Sequence, residues 1–361
     1  MGGTMKVNER ISSYWRNPRV LALAGLLLAA AMILACGGAA SSPTAAPTTG
    51  ADGGSLSGNI TIDGSSTVFP ITEAVAEEFG KRTGGKVKVV VGVSGTGGGF
   101  TKFCAGETDI SNASRPIKIS EVEACAKAHI EYIELPVAID GLTVMVNPQN
   151  DFVQCLTVAE LKTIWDPAAE GKVARWNQVH PGWPAETIRL YGPGVDSGTF
   201  DYFTEVVNGQ AQASRGDFTA SEDDNVLVQG ISGDRYSLGY FGYAYYIENT
   251  AKLKAVAVDG GAGCVAPTQQ TINDGSYKPL SRPLFIYVRK DAAGQPHVRE
   301  FIRSYLDAGG QKLVAEVGYI PFPSRVYQLA LARFEGGKTG TIFGGASPQH
   351  GPVEQVLAAN Q

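Results

Sequence analysis

The sequence predicts an α/β protein built from two α/β regions, and three observations carry that reading. β-branched runs alternate with apolar stripes at helical spacing along most of the chain. Three strand-to-helix junctions, near residues 64–67, 94–99 and 192–199, are rich in glycine and hydroxyl side chains. The 361 residues suffice for one large domain or two of ordinary size.

The N-terminus is of a different kind. Arg16 and Arg19 precede an apolar run, residues 20–35, that ends Ile33-Leu34-Ala35-Cys36-Gly37. The run is too short and one-sided for a membrane span, so residues 1–35 are expected to be a signal peptide. Cys36 after Leu34-Ala35 resembles the lipobox of bacterial lipoproteins, in which the cysteine is lipidated and becomes the new N-terminus. Residues 36–58 are then the lipidated cysteine and a flexible tether of Gly, Ala, Ser, Pro and Thr. Removal of residues 1–35 takes away Lys6, Arg10, Arg16, Arg19 and Glu9 and moves the net charge from −5 to −8. So acidic a chain is a poor candidate for nucleic acid, which rewards clustered Lys and Arg.

The folded part opens on Asn59-Ile60-Thr61-Ile62-Asp63, which alternates as a strand does. Gly64-Ser65-Ser66-Thr67 leads into Val68, Ile71, Val75 and Phe79 at helical spacing, with Pro70 tolerated in a first turn and Gly84-Gly85 ending the helix. Residues 87–93 are β-branched and predict a buried strand. Ser94-Gly95-Thr96-Gly97-Gly98-Gly99 follows, with a helix starting near Phe100. Residues 108–111 predict a short strand that runs into Ser114-Arg115-Pro116. Ser120 and Glu123 read as a capping box for the helix that carries Cys125. Residues 133–147 are strand-like on both sides of Asp140-Gly141, and an acid inside so apolar a run needs a partner, a ligand or a bend.

A second α/β region starts near Asn147. Residues 158–165 form an amphipathic helix, Trp176 and Trp183 are anchors, and residues 187–191 form a strand. Gly192-Pro193-Gly194-Val195-Asp196-Ser197-Gly198-Thr199 then leads into Phe200, Phe203, Val206 and Val207 at helical spacing. Residues 237–246 predict a strand packed through its glycines. Residues 284–288 predict another, and two or three helices occupy 297–333.

At each of the three junctions a helix start offers unpaired backbone N–H groups, hydroxyls and the positive end of the helix dipole. In a doubly covered sheet such loops gather at the strand C-terminal ends. A small tetrahedral oxyanion has acceptors in every direction and suits them. No cofactor is implied, and neither cysteine nor histidine spacing suggests a metal: His129, His180, His297 and His350 are scattered. Besides Cys36 there are four cysteines, an even number in an exported chain, and three pairings are open.

GSSTVFPIT, SGTGGGFTKF, TDISNASRPI, VDSGTF, GYFGYAYY and PLSRPLFIYV resemble, in order, segments of the phosphate-binding lipoproteins of bacterial high-affinity phosphate ABC transporters. The resemblance covers residues 59–333. It implies a two-domain type II periplasmic binding protein fold with two crossover (hinge) strands. It places one domain at 59–143 plus 280–340, the other at 144–279, and leaves 341–361 as a C-terminal tail. Ser66 and Thr67 correspond to the first phosphate loop, Thr96 and Gly97 with Ser94 to the second, and Ser197, Gly198 and Thr199 to the loop of the second domain. The family's aspartate stands where this chain has Ser114, and its arginine where this chain has Pro193. Arg115 is therefore expected to grip phosphate bidentately, with Asp140, or else Asp196, accepting the phosphate proton. Cys104–Cys125 and Cys155–Cys264 are the expected disulfides, because each lies within one domain and cross-domain links would obstruct closure.

The implied function is extracytoplasmic capture of inorganic phosphate by a monomer held to the membrane through its lipid and serving the permease subunits of an ABC importer. Binding of sulfate, molybdate or tungstate is the alternative. A serine hydrolase using Ser197 is disfavoured, because the spacing misses G-x-S-x-G and no histidine lies in these loops. Replacing Cys36 by Ser should abolish lipid labelling and release the protein or leave its signal uncleaved. Unchanged labelling in that variant would refute the assignment.

Overall fold

The computed structural model describes residues 56–195, 197–221, 223–343 and 353–360. Cys36, the tether up to residue 55 and Asp196 lie outside the described residues. Residues 54–361 form one compact unit.

The chain first alternates strand and helix: β1 (Gly58–Gly64), α1 (Phe69–Arg82), β2 (Val87–Val91), α2 (Gly95–Cys104), β3 (Ile110–Ala113) and α3 (Ile119–Lys127). The long strand β4 (Tyr132–Val146) follows. The second region comprises β5 (Cys155–Thr157), α4 (Val158–Trp165), α5 (Trp176–Val179), β6 (Arg189–Gly192), α6 (Gly198–Asn208), β7 (Thr219–Ala220) and α7 (Asp224–Gly233). It continues through β8 (Ser237–Gly242), α8 (Tyr243–Glu248), β9 (Lys254–Ala255), β10 (Ala257–Asp259), β11 (Cys264–Val265) and α9 (Gln269–Asn273). The chain returns along β12 (Ser281–Arg289) to α10 (Lys290–Ala293), α11 (Pro296–Leu306), α12 (Ala308–Glu316), α13 (Ser324–Glu335) and α14 (Val353–Ala359).

Among the described residues one nine-stranded sheet runs β2-β1-β3-β12-β4-β8-β6-β7, with β9 also on β4, beside a three-stranded sheet β11-β10-β5. β1 lies between its parallel partners β2 and β3, and β6 lies between its parallel partners β8 and β7. Both are points where the strand order reverses, so both open a crevice at their C-terminal ends. β4 joins the two halves. Residues 132–141 pair with β12 and residues 142–146 pair with β8. Every residue of β4 is buried, which explains why its sequence is a continuous apolar run rather than an alternating one.

Several local expectations change. β2 is an edge strand, so its residues alternate and Val90 is 63% exposed, although the β-branched run reads as buried. The glycines of 95–99 are not a loop before a helix but the first turns of α2. Gly99 is needed there because a Cβ would lie 2.5 Å from the Gly64 Cα, so α2 seats directly on the end of β1. The cap of α3 falls two residues earlier than Ser120 and Glu123 suggest: the Lys118 N–H donates to Glu121 Oε2 at 2.8 Å. β8 stops at Gly242 and the tyrosine-rich continuation is helical. β4 passes through Asp140-Gly141 without leaving its ladder, and the acid has a partner instead.

Both disulfides, Cys104–Cys125 and Cys155–Cys264, are formed. The first ties α2 to α3, and the second ties β5 to β11. Trp176 is fully buried and its Nε1–H donates to the Tyr236 carbonyl at 3.0 Å, while Trp183 packs edge-on against it.

The described residues of the C-terminal segment, 341–343 and 353–360, pack on the core. Leu357 of α14 is fully buried, and Arg333 of α13 donates to the carbonyls of Asn360 and Gly340 at 2.8 and 2.6 Å. The Ile342 N–H donates to buried Glu134 on β4. Leu357→Ala should therefore destabilise the protein by about 2–4 kcal/mol in urea unfolding, as a core truncation does. A change near zero would show that α14 does not pack in solution.

Candidate functional site

The loop after β1 occupies the first crevice. The Ser65 N–H donates to the Asn112 carbonyl at 3.0 Å, and the Phe69 N–H to the Ser65 carbonyl at 3.1 Å. These bonds bend Ser65-Ser66-Thr67 around the start of α1. Beside it, the Ser94 N–H donates to the Gly64 carbonyl at 3.2 Å, and its hydroxyl donates to Asp63. Asp63 also takes Lys102 Nζ at 2.6 Å. Burial raises the Asp63 carboxyl, but the bonds from Lys102 and Ser94 outweigh it and leave it below its usual value. Ser94 thus ties the ends of β1 and β2 together.

Thr96, in the first turn of α2, meets the end of β3. The Ser114 N–H donates to its Oγ1 at 3.1 Å, and the two hydroxyl oxygens are also 3.1 Å apart. The Thr96 hydrogen can therefore turn from Ser114 to a ligand. In the second crevice, Ser197 caps α6: its Oγ accepts the Thr199 N–H at 3.2 Å, which leaves its own hydrogen to donate. At Gly198 a Cβ would lie 3.1 Å from the Thr67 Cα, so the start of α6 lies directly against the loop after β1.

These elements enclose a cavity of about 260 Å³. Ser65, Ser66 and Thr67, then Gly95, Thr96 and Gly97, then Ser114 and Arg115 line one side. Asp201, Glu205 and Ala211 line the other, and Arg282 reaches in from β12. A neighbouring hollow of about 390 Å³ shares Arg115 and Arg282 but is walled largely by Ile139, Val206, Ile272, Phe322 and Phe343, which offer an anion no donors.

Two guanidiniums face the cavity. Arg115 Nη1 and Nη2 hold Glu121 in a fork at 2.8 and 2.7 Å, and Nη1 also donates to the Pro116 carbonyl at 3.2 Å. The fork expected to face the ligand is thus directed at Glu121. Two of the five guanidinium N–H groups lie outside these bonds. Glu121 does double service, since the same carboxylate caps α3.

Arg282 has partners on every side. Nε and Nη2 each lie 3.4 Å from Asp140 Oδ2, Nη2 donates to Thr67 Oγ1 at 3.2 Å, and Nη1 lies 3.5 Å from Glu205 Oε2. Its carbon stacks 3.6 Å from the centre of the Tyr202 ring, whose hydroxyl donates to the Pro279 carbonyl at 2.6 Å. Burial pushes the Asp140 carboxyl up to about 6, against the pull of Arg282.

Of the residues singled out from the sequence, Ser66, Thr67, Thr96, Gly97 and Arg115 line the cavity together. Ser197, Gly198 and Thr199 form the α6 start packed on Thr67. Ser94 bonds within the β1–β2 end, and Asp140 sits behind Arg282. Sequence reasoning missed Arg282, Asp201 and Glu205. A signal for the first was present: Ser281-Arg282-Pro283 repeats Ser114-Arg115-Pro116, the former opening β12 and the latter following its partner strand β3.

Residues 41–307 match the PBP superfamily domain. Protein SphX of Synechococcus elongatus is 54% identical over 301 residues, covering 83% of this chain and 88% of that protein. The phosphate-binding protein PstS of Staphylococcus saprophyticus is 41% identical over 303 residues, with the same coverage of both chains. The chain belongs to the PstS family of the PBP superfamily. The crystal structure of a "possible phosphate binding protein" from Planctomyces limnophilus shares 52% identity with this family member, at a TM-score of 0.76 over 78% of this chain and 99% of the other. An ABC-type phosphate transport receptor from Vibrio cholerae shares 25%, at 0.55 over 72% and 99%. The fold is the two-domain α/β fold of periplasmic binding proteins.

The position of Asp140 has a consequence for stability. Its folded carboxyl titrates near 6, above the ordinary 3.8, so the folded state holds this proton more tightly than the unfolded chain does. Its contribution is therefore unfavourable at neutral pH and is relieved as pH falls through the folded value. Between about pH 7.5 and about pH 4, wild type should gain about 2–3 kcal/mol relative to Asp140→Asn in urea unfolding. A difference that stays flat across that window would contradict the assignment.

Proposed function

We propose that this protein captures inorganic phosphate outside the cytoplasm and passes it, chemically unchanged, to the permease subunits of an ABC importer. The observation that carries this reading is the convergence of the start of α2, the Ser65-Ser66-Thr67 turn and two guanidiniums on one cavity, with the start of α6 packed directly against Thr67. Backbone N–H groups at those helix starts, the hydroxyls of Ser66, Thr67, Thr96 and Ser197, and the outer N–H groups of Arg115 supply donors from several directions. The Thr96 and Ser197 hydroxyls are each fixed by a lone pair already spent on a backbone N–H. The naming of relatives as phosphate-binding proteins supports the same reading.

Charge decides why both arginines are needed. A buried, partly dianionic phosphate without countercharge is unfavourable once water is excluded. Glu121 and Asp140 hold the two guanidiniums in place rather than reach the ligand. Hence Asp140 acts in this reading as a positioning residue for Arg282. Ser197 Oγ caps α6, and the cavity lining carries no histidine among the described residues, so the Ser–His pair of a hydrolase is not formed there.

The lobes comprise 59–143 plus 280–340 and 144–279 in this account, hinged on β4 and β12. Residues 36–58 serve as a tether from a lipidated Cys36, and the protein acts as a monomer. Among the described residues no helix is long and apolar enough to cross a membrane. The calorimetric test uses protein stripped of co-purified ligand. Phosphate should bind tightly, and sulfate at least ~100-fold more weakly. Thr96→Val and Ser197→Ala should each weaken phosphate binding by about 1.5–3 kcal/mol. Wild-type affinity in both variants would remove the loop assignment.

A further inference from the structure

The anion cavity is not the whole of the opening beside α6. The adjoining hollow of about 390 Å³ has the size of a small-molecule pocket, for which roughly 300–1,000 Å³ is usual. A gap of that size is foreign to close-packed interiors, where few voids exceed a single water. The two spaces meet at Ser114, Arg115, Glu205 and Arg282, which line both. Of the described residues, none of Ser65-Ser66-Thr67 or Gly95-Thr96-Gly97 lines the hollow, so the donors of those loops belong to the anion cavity alone.

Helix α6 carries the division in its sequence. Asp201 and Glu205, four residues apart, line the anion cavity, and the next such pair, Tyr202 and Val206, lines the hollow. One helix thus presents a polar strip to one space and an aromatic and aliphatic strip to the other. Ile139, Ile272, Phe322 and Phe343 complete the apolar walls. The two cations are fixed where the spaces meet. Asp140, Thr67 and Glu205 hold the edge of Arg282 and Tyr202 covers its face, while Glu121 and the Pro116 carbonyl hold Arg115. Inorganic phosphate in the smaller cavity would leave the apolar walls of the larger one against water, which is unfavourable. A ligand that satisfies both spaces carries a compact anion at one end and an apolar group at the other.

We propose that the hollow is a subsite for the organic group of a substituted phosphorus oxyanion, a phosphonate or phosphate monoester with a small apolar substituent, bound in addition to inorganic phosphate. This rests on the reading of the smaller cavity as a phosphate site. Three oxygens of such a ligand meet the loop donors and the guanidiniums. The fourth position on phosphorus is directed past Arg115 and Arg282 into the hollow, where it holds carbon or an ester oxygen in place of a phosphate oxygen. A phenyl group there has Tyr202, Phe322 and Phe343 as ring partners. No bond of the ligand is made or broken.

The test titrates protein stripped of co-purified ligand with inorganic phosphate, phenylphosphonate and phenyl phosphate by calorimetry. It compares wild type with Val206→Trp and Ile272→Trp, which fill the hollow from two walls and lie outside the lining of the anion cavity. Val206 is only partly buried, so its replacement leaves the fold intact. In wild type at least one phenyl ligand should bind within ~10-fold of phosphate. A preference for phenylphosphonate assigns the hollow to phosphonates, and a preference for phenyl phosphate assigns it to monoesters. In the filled variants the better phenyl ligand should lose ~10-fold or more in affinity, while phosphate changes by less than ~3-fold. Wild type that binds phosphate but neither phenyl ligand overturns the proposal. So do filled variants that lose phosphate and phenyl ligand equally, or that keep both. Wild type that binds no phosphate overturns the phosphate reading itself, and that outcome is distinct from the others.

Discussion

Arg282 and Asp140 face each other 142 positions apart in sequence, on the two strands that run between the lobes. The guanidinium is mostly buried, and from β12 it reaches β4 through Asp140, the first anion loop through Thr67 and helix α6 through Tyr202 and Glu205. No other side chain around the cavity joins that many elements among the described residues. A buried carboxylate alone would be intolerable in β4, and burial does raise its titration toward neutrality even with the arginine present. A buried arginine alone would be equally costly. Held together, they place a positive charge at the back of the cavity with its orientation set by the strand ladder.

The rest of the site follows from that constraint and from close approach of backbone. The protein carries net negative charge, so its long-range field opposes an anion and the attraction must be local. Helix starts supply it without adding charge. They can crowd one cavity because Gly99 lets α2 touch the end of β1 and Gly198 lets α6 touch Thr67. A side chain at either place would push one donor group away from the other. Arg115 adds the second charge from the end of β3, braced by a glutamate that is itself spent on capping α3.

Much of this was legible in the sequence because it is written locally. Strand, glycine-hydroxyl junction and helix occupy a dozen or so consecutive residues, and a helix follows a strand at each of the three places, although the glycines of 95–99 are themselves the first turns of α2. The disulfides were legible once the lobes were, since each pair closes within one of them. What escaped is non-local. The exposure of Val90 depends on β2 being at the sheet edge, which no property of the run 87–93 reveals. The partner of Asp140 comes from a strand over a hundred residues away, and the acid of Asp201 reads as one more polar position on an amphipathic helix. The tail reads as glycine-rich and unplaceable, yet in α14 Val353 and Leu357 are buried and the Asn360 carbonyl takes a bond from Arg333.

The most direct test of the central role of Arg282 is the phosphate affinity of Arg282→Met measured beside Arg282→Met/Asp140→Asn by titration calorimetry. The single variant leaves an unpaired buried acid, so its loss could arise through the fold. The double variant removes that acid and restores neutrality behind the cavity, while the charge at its back remains absent. Phosphate affinity should fall ~100-fold or more in both. Affinity close to wild type in the double variant would contradict the account.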